Sequence, residues 1–396
     1  MTLSGPAIAL LCLISGFLPL VTDGFLAAIR PIMIDFQIPV SSAQTTISTV
    51  LLGCASTQLF VGAYADRYGR RPVLTAAIVV FLIASLGLSV APTLPWLLLC
   101  RFIQGASGAA GPILARAIVR DVYDRPSGAR VLSIIGMGLA LVPLLVPTVN
   151  AVIVAYAGWR ASAVLYVIVL AVALAMTRLC LPETLRGAPN DRSQWRAIRD
   201  ASRAALADRR VVGYILCCVT GYAGLAVWIS ASPHLLEGWF GRPAALFGFY
   251  WSTTIVSYVV GGWASVWSLR RASSDRILAR GSLILVAAAA LLIVGYVMAP
   301  RSLTLFLLGV CTYNFGWSML QPNAQTGALA PFTTSAGRVS ALLGFLQLTC
   351  GAAVAQTFGR LHDGTTLAAV GMISAAAVLN ALVRYRWCPV QPASTS

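Results

Sequence analysis

The stretch Gly62-Ala-Tyr-Ala-Asp66-Arg67-Tyr-Gly69-Arg70-Arg71-Pro72 joins two long apolar runs, and its order decides how the chain is read. Gly62 permits a close helix contact and Gly69 allows a tight turn between helices. Pro72 suits the first turn of the helix that follows. Asp66 is placed to cap a neighbouring helix N-terminus or to pair with Arg. A loop that needed only positive charge would carry the Arg residues without this order of Gly, Asp, Gly and Pro.

The surroundings of this loop are apolar. The chain has 396 residues, 58% hydrophobic and 10% charged, with a mean hydropathy of +0.83. A soluble protein carries about 25% charged residues, so an ordinary soluble enzyme is excluded, and the apolar content excludes a disordered chain. A bilayer core takes about 20 apolar residues per helix. Twelve runs of that kind lie near 6–29, 42–63, 72–91, 94–116, 131–156, 159–181, 211–232, 245–269, 280–299, 302–322, 338–359 and 365–384. Pro143 and Pro147 interrupt the fifth, which membrane helices tolerate when neighbours re-satisfy the backbone. The fold expected is all-α and integral to the membrane.

One polar segment, from Leu181 to Arg210, divides these runs six and six. The expected organisation is an N-terminal six-helix half over 1–181, a linker over 182–210 and a C-terminal half over 211–396 with a short tail. Within the linker, residues 191–205 read as an amphipathic surface helix with Trp195 and Ile198 on its apolar face, or as a plain polar linker.

All 28 basic residues are Arg, and 12 acids oppose them for a net charge of +16. Counted over alternate loops, 22 Arg fall on the side of the N-terminus and four on the other. Positive charge marks the cytoplasmic side, so both termini are expected there, in a cell inner (plasma) membrane. The Arg residues are spread over loops without a basic patch, which argues against nucleic acid. The absence of Lys excludes a Walker-type phosphate loop and a Schiff-base lysine. No cleavable signal peptide is expected, because the first apolar run lacks a basic flank and is long enough to span. Nine Cys without ligand spacing and two His, His234 and His362, read as lying in outer loops, leave little for a metal, and no cofactor is expected.

Asp23 is the one acid inside an apolar run. An intramembrane acid is costly and marks a functional site by default, and a carboxylate withdrawn from water is driven toward its neutral form, as a proton carrier requires. A permanent structural ion pair is the alternative. Arg101 is the natural partner. At 1.5 Å per residue, Asp23 lies roughly 9 Å and Arg101 roughly 10 Å below the same surface. Arg30, at the helix mouth, competes for Asp23. Asp35, past Pro31, reads as a solvated loop residue.

The Gly62–Pro72 segment resembles the loop signature of the major facilitator superfamily. Arg101-Phe-Ile-Gln104-Gly105-Ala-Ser-Gly108 resembles the fourth-helix Arg-x-x-Gln-Gly motif of its proton-coupled exporters. The chain is most similar to the Bcr/CflA group of twelve-helix drug/proton antiporters. The similarity runs through Asp23 with Pro31, Ala117-Ile-Val-Arg120-Asp121-Val-Tyr, Pro143-Leu-Leu-Val-Pro147, Ser232-Pro233, Phe247-Gly248, Pro322-Asn323-Ala-Gln-Thr-Gly-Ala-Leu329 and Ser340-Ala-Leu-Leu-Gly344-Phe-Leu-Gln347. The resemblance implies two six-helix halves around a central cavity, rocking in alternating access. It further implies that Asp66, Arg70 and Asp121 form the inner charge network of the conformational switch, with Gly62, Arg67, Gly69 and Arg71 in its motif, and that Asp23 and Arg101 couple to protons.

The chain departs from that group at Thr148-Val149-Asn150-Ala151, where paired Gly is usual, at Arg30, where an apolar residue is usual, and at Arg338, where a small one is common. Asn150 is thereby expected to add a polar group to the cavity. Further cavity candidates are Tyr222, Trp228, Tyr250, Trp251, Tyr258, Tyr313, Asn314, Trp317 and Gln347, since pockets are mostly apolar with a few placed polar groups. For the aromatics, anchoring at the membrane interface is the alternative.

The expected function is export of a small drug-like or antibiotic compound in exchange for protons. Proton-coupled uptake or export of a metabolite stands beside it. A membrane-embedded enzyme is not expected: no Ser/His pair, paired Asp or zinc motif lies in the runs, and Gly105-Ala-Ser107-Gly108 lacks the Gly that a nucleophile elbow requires at 109. The expected partners are a small-molecule substrate, protons and the lipid bilayer, with the protein a monomer.

Overall fold

In the computed structural model, residues 3–185, 194–332 and 335–388 are described, and every regular element among them is helical. That follows from the apolar composition, because a backbone crossing lipid must satisfy its N–H and C=O groups internally. Eleven stretches are long and apolar enough to cross a membrane, and a pair of helices bent by 45° makes up to twelve. Leu179, Trp263 and Met298 are largely exposed. In water such side chains would be a liability; against acyl chains they cost nothing.

The first run is broken. It comprises α1 (Gly5–Ser15), α2 (Phe17–Thr22), a 3-10 segment (Asp23–Ala28) and α3 (Ile29–Phe36). The helix therefore continues past Pro31, and Asp35 is a helical residue, not a free loop acid. Arg160 Nη1 donates to its carboxylate at 2.6 Å and Trp159 Nε1 at 3.0 Å. Pro31 is accommodated as the third residue of α3, where an intrahelical N–H is not yet needed.

Next come α4 (Val40–Gln58) and α5 (Val61–Tyr68), which form the bent pair, and α6 (Arg70–Ser89). They are followed by α7 (Leu94–Gly108), α8 (Ala110–Val122), α9 (Arg125–Ala157) and α10 (Ser162–Cys180). Pro143 and Pro147 both lie inside α9. In this unit, Met1–Gln194 with Pro243–Gly248, α4 packs on α7, α6 packs on α7 and α10, and α9 packs along the 3-10 segment.

The second unit, Trp195–Arg242 with Phe249–Ser396, takes in nearly all of α11 (Gln194–Ala207). It continues with α12 (Arg209–His234), α13 (Phe247–Ser268), α14 (Ser274–Met298), α15 (Leu303–Leu329), α16 (Ala336–Leu361) and α17 (Leu367–Trp387). Here α14 packs on α15 and α17, and α12 packs on α15, α16 and α17. The surface helix expected over 191–205 corresponds to α11; residues 191–193 and the Trp195 side chain lie outside the described residues. His234, expected in a loop, is instead the last residue of α12. It is buried, its ring 5.8 Å from that of His362.

Within the first unit α4 and α7 approach closely. A Cβ on Gly105 would collide with the Val50 carbonyl oxygen, and one on Gly53 with that of Phe102. Gly62 has no such role: nothing lies within 4 Å of a Cβ placed there, so the close contact expected of it is not made. Replacing Gly105 with Val forces backbone apart and should destabilise by at least the 1–3 kcal/mol typical of overpacking. Gly62→Ala should leave stability unchanged or raise it by up to about 1 kcal/mol. Thermal melting of the two variants in detergent checks both; equal melting temperatures would contradict this packing.

Candidate functional site

Arg101 stands on α7 with no exposed surface. A guanidinium stays charged in proteins and presents five donors, so its burial demands acceptors. One arm, Nη2, donates to the Val21 carbonyl at 2.7 Å, and the other, Nη1, donates to Gln104 Oε1 at 3.0 Å. Gln104, one turn on, passes the chain forward: its Nε2 donates to Ser85 Oγ at 2.9 Å, and Ser85 donates to the Phe81 carbonyl at 2.9 Å. The Phe25 ring lies 4.2 Å from the guanidinium carbon, a cation–π contact. The Nε donor of Arg101 is buried without a hydrogen-bond partner.

Asp23 opens the 3-10 segment and is half-buried. The expected ion pair with Arg101 is not made: among the described residues no contact within 4 Å joins the two charges. Asp23 meets Thr22 Oγ1 at 2.8 Å, while Thr22 Oγ1 also lies 3.0 Å from the Leu18 carbonyl. A hydroxyl has a single proton, and a backbone carbonyl can only accept. Both contacts are made together when Thr22 donates to Leu18 and a neutral Asp23 donates to Thr22.

The 3-10 segment is held from α9 and α10. Asn150 Nδ2 donates to the Gly24 carbonyl at 2.6 Å, and Asn150 is fully buried. The residue expected to line a cavity instead ties α9 to the break in the first span. From α10, Tyr166 packs its ring 6.5 Å from Phe25, fully buried, with a hydroxyl that has no hydrogen-bond partner. Tyr166 was not singled out from sequence. Its signal was a phenol in the middle of the aliphatic run Ala163-Val-Leu-Tyr-Val-Ile-Val.

At the other end of the unit, the Gly62–Pro72 turn closes on a charge cluster. Arg70, with its side chain 4% exposed, pairs with Asp66 at 2.5 Å and donates from Nε to Asp121 at 2.8 Å. The three residues grouped by resemblance thus meet. Asp66 does not cap a helix. That place belongs to Glu183, from the Leu-Pro-Glu-Thr that opens the linker: its carboxylate accepts from the backbone N–H of Arg70 at 3.0 Å and of Arg71 at 3.1 Å, the first turn of α6. Gly69 sits between at φ 98°, where a Cβ would come 2.6 Å from Glu183 Oε2, so only Gly fits. Arg71 Nη2 donates to the Arg178 carbonyl at 2.9 Å, and Arg67 points out against Tyr68.

In the second unit, Tyr222 and Tyr258 are half-buried; the Tyr222 ring is 6.4 Å from Trp317, and Tyr258 OH donates to Gln321 Oε1 at 3.3 Å. Gln347 Nε2 donates to the Cys218 carbonyl at 3.3 Å. Five other candidates, Trp228, Trp251, Tyr313, Asn314 and Trp317, are interior: Trp228 stacks on Trp251 at 6.0 Å, Asn314 donates to Val310 of its own helix at 3.0 Å, and Tyr313 donates to the Gly221 carbonyl at 2.9 Å. They serve packing here. Tyr250 is half-buried, edge-on to Phe249.

The sequence pattern of the Major Facilitator Superfamily matches residues 11–356. The chain belongs to this superfamily. It is a multi-pass membrane transporter and not an enzyme. Among curated relatives of this superfamily, the chain is 23% identical over 369 residues to a "Bicyclomycin resistance protein homolog" of Haemophilus influenzae, covering 93% of this chain and 92% of the relative. It is 25% identical over 367 residues to "Multidrug resistance protein D" of Escherichia coli, covering 92% and 91%. Among solved superfamily structures, the crystal structure of a D-xylose-proton symporter aligns with a TM-score of 0.78 over 98% of both chains. At 17% identity this speaks for the fold alone.

The Glu183 cap makes a pH prediction. Burial pushes its carboxyl up, but the N–H groups of Leu185, Arg70, Arg71 and Thr184 outweigh burial and hold it below the usual carboxylate range. With the folded value depressed, its stabilisation is present above the ordinary carboxylate range and is lost as pH falls through the folded value. Glu183→Ala should cost about 1 kcal/mol, as for other lost caps, and should flatten the acid side of the melting-temperature profile. Parallel acid-limb slopes in the two proteins would count against the cap.

Proposed function

We propose that this transporter exports a small, moderately hydrophobic, drug-like compound in exchange for protons. The observation that carries the proposal is Asp23, an acid in mid-span whose hydrogen bonds suit the neutral carboxyl, placed on the break in the first span that also supplies a carbonyl to Arg101. A half-buried acid that holds a proton in one state and releases it in another is what antiport requires. The names of the relatives, which speak of bicyclomycin and multidrug resistance, support the drug-like cargo.

In this reading, Asp23 takes up and releases the proton, and Arg101 is a fixed positive charge that biases the release. Since Arg101 is committed to Val21, Gln104 and Phe25, the acid is the charge left for cargo, which favours neutral or cationic compounds. The halves over 1–181 and 211–396 alternate access, with the Asp66–Arg70–Asp121 cluster and its Glu183 buttress fastening one of the two states. Half-buried Tyr222 and Tyr258 and the tethered Gln347 contribute cargo contacts. Both termini face the cytoplasm of a cell inner membrane, as the Arg distribution prefers.

The test is efflux from inverted or reconstituted vesicles with an imposed pH gradient, using a panel of antibiotics and dyes. Asp23→Asn should abolish gradient-driven efflux, a loss of at least about tenfold, while the protein remains folded by melting; a protonophore should do the same to the wild type. Transport that survives both would remove proton exchange from the mechanism.

A further inference from the structure

The first unit leaves three polar atoms buried and unsatisfied around one bend of backbone. They are the Tyr166 hydroxyl, Arg101 Nε and Asn150 Oδ1. A buried group without a partner costs about 1–3 kcal/mol, and native interiors carry few of them. Two of the three, the Tyr166 hydroxyl and Arg101 Nε, are donors, and a carboxylate oxygen is an acceptor that suits both. The nearest group able to change its hydrogen bonding is Asp23. Its carboxyl is turned toward Thr22, yet lies within electrostatic reach of Tyr166, as does Arg101. A Cβ on Gly24, the residue after Asp23, would lie 3.5 Å from the Tyr166 hydroxyl oxygen.

We propose that Tyr166 is the positioning residue for the ionised form of Asp23: when the acid gives up its proton, the carboxylate turns from Thr22 and accepts a hydrogen bond from the Tyr166 hydroxyl. The step balances simply. The Asp23 O–H bond breaks, its proton leaves to water on the half-exposed side, and the Tyr166 O–H proton stays on its oxygen while donating. Thr22 keeps its bond to Leu18, so nothing is stranded. The move also brings negative charge toward Arg101, whose Nε gains the electrostatic partner it lacks.

Other charged groups do not take this role. Facing the Asp23–Tyr166 pair are Arg101 of α7 and, beside Arg101, the Cys54 thiol of α4. On α3, Asp35 is committed to Arg160, and Arg30 stands seven residues beyond Asp23. Among the described residues, α2, α6 and α9 bring no titratable side chain into electrostatic reach of the pair.

The inference rests on the export reading for its meaning, but its test does not use transport. The full-length protein in detergent is labelled with dicyclohexylcarbodiimide, which reacts with the protonated carboxyl, across a pH series, and modification of Asp23 is read by peptide mass spectrometry. Tyr166→Phe keeps the ring and removes the hydroxyl; Tyr166→Met provides a second, smaller replacement. Both should move the midpoint of labelling about one pH unit to the alkaline side, the shift expected when a carboxylate loses one charge-assisted hydrogen bond. The melting temperature of the Phe variant should stay near that of the wild type. Midpoints that superimpose on the wild type would make Tyr166 a packing residue and overturn the proposal. Efflux that persists in Asp23→Asn would overturn the export reading and leave the labelling result standing.

Discussion

A guanidinium cannot shed its charge at physiological pH, so burying Arg101 obliges the helices around it to stand in for water. The obligation is met without a carboxylate in contact. Val21 and Gln104 supply oxygens, and Phe25 supplies the face of its ring. Two of these three partners lie within two residues of Asp23 on either side. The positive charge is thus bound to the backbone and side chain that carry the acid, and not to the acid itself. An ion pair would have fixed Asp23 in its ionised form. Coupling through the flanking residues leaves the carboxyl unpaired with Arg101, while the backbone that carries it is tied to that charge through Val21.

Which parts of this were legible follows from what each signal depends on. Membrane spans declare themselves by length and hydropathy, so the apolar runs could be read directly. The Gly69 turn could be read because its backbone conformation excludes a side chain. Arg70 with Asp66 and Asp121 came from resemblance, and the three do meet. What could not be read was contact across the chain. Glu183 lies 113 residues from the N–H it caps, and nothing in Leu-Pro-Glu-Thr says which helix it will reach. Asn150 looked like a cavity residue because a polar side chain in a span is expensive; its bond to the Gly24 carbonyl is an equally good answer to that expense. Trp228 and Asn314, also read as cavity candidates, are interior, the one stacked on Trp251 and the other bonded to Val310. Side-chain type does not say which face of a helix is packed.

Seen this way, the two ends of the first unit solve one problem by different means. At the Gly69 turn, the buried Arg70 is satisfied by opposite charges and the helix N–H groups by Glu183, with the Asp66 and Glu183 carboxylates open to water. Around Arg101, the partners are neutral oxygens, and the desolvated charge makes each of them hard to give up.

The break in the first span makes the second cluster possible. In a continuous α-helix, the carbonyls of Val21 and Gly24 would each accept from the N–H four residues on, leaving less for Arg101 and Asn150. In the 3-10 segment over residues 23–28 the bonding pattern shifts by one residue, and beside it the Val21 and Gly24 oxygens accept from Arg101 Nη2 and Asn150 Nδ2. The Arg101 bond to Val21, at 2.7 Å, is charge-assisted, and Asn150 adds a neutral bond to Gly24 at 2.6 Å. Asp23 sits at the first residue of this irregular stretch, where its carboxyl is carried on backbone already held from α7 and α9. An acid on a regular helix would have only its rotamer to set its surroundings. On this break the backbone on either side of it is held from α7 and α9.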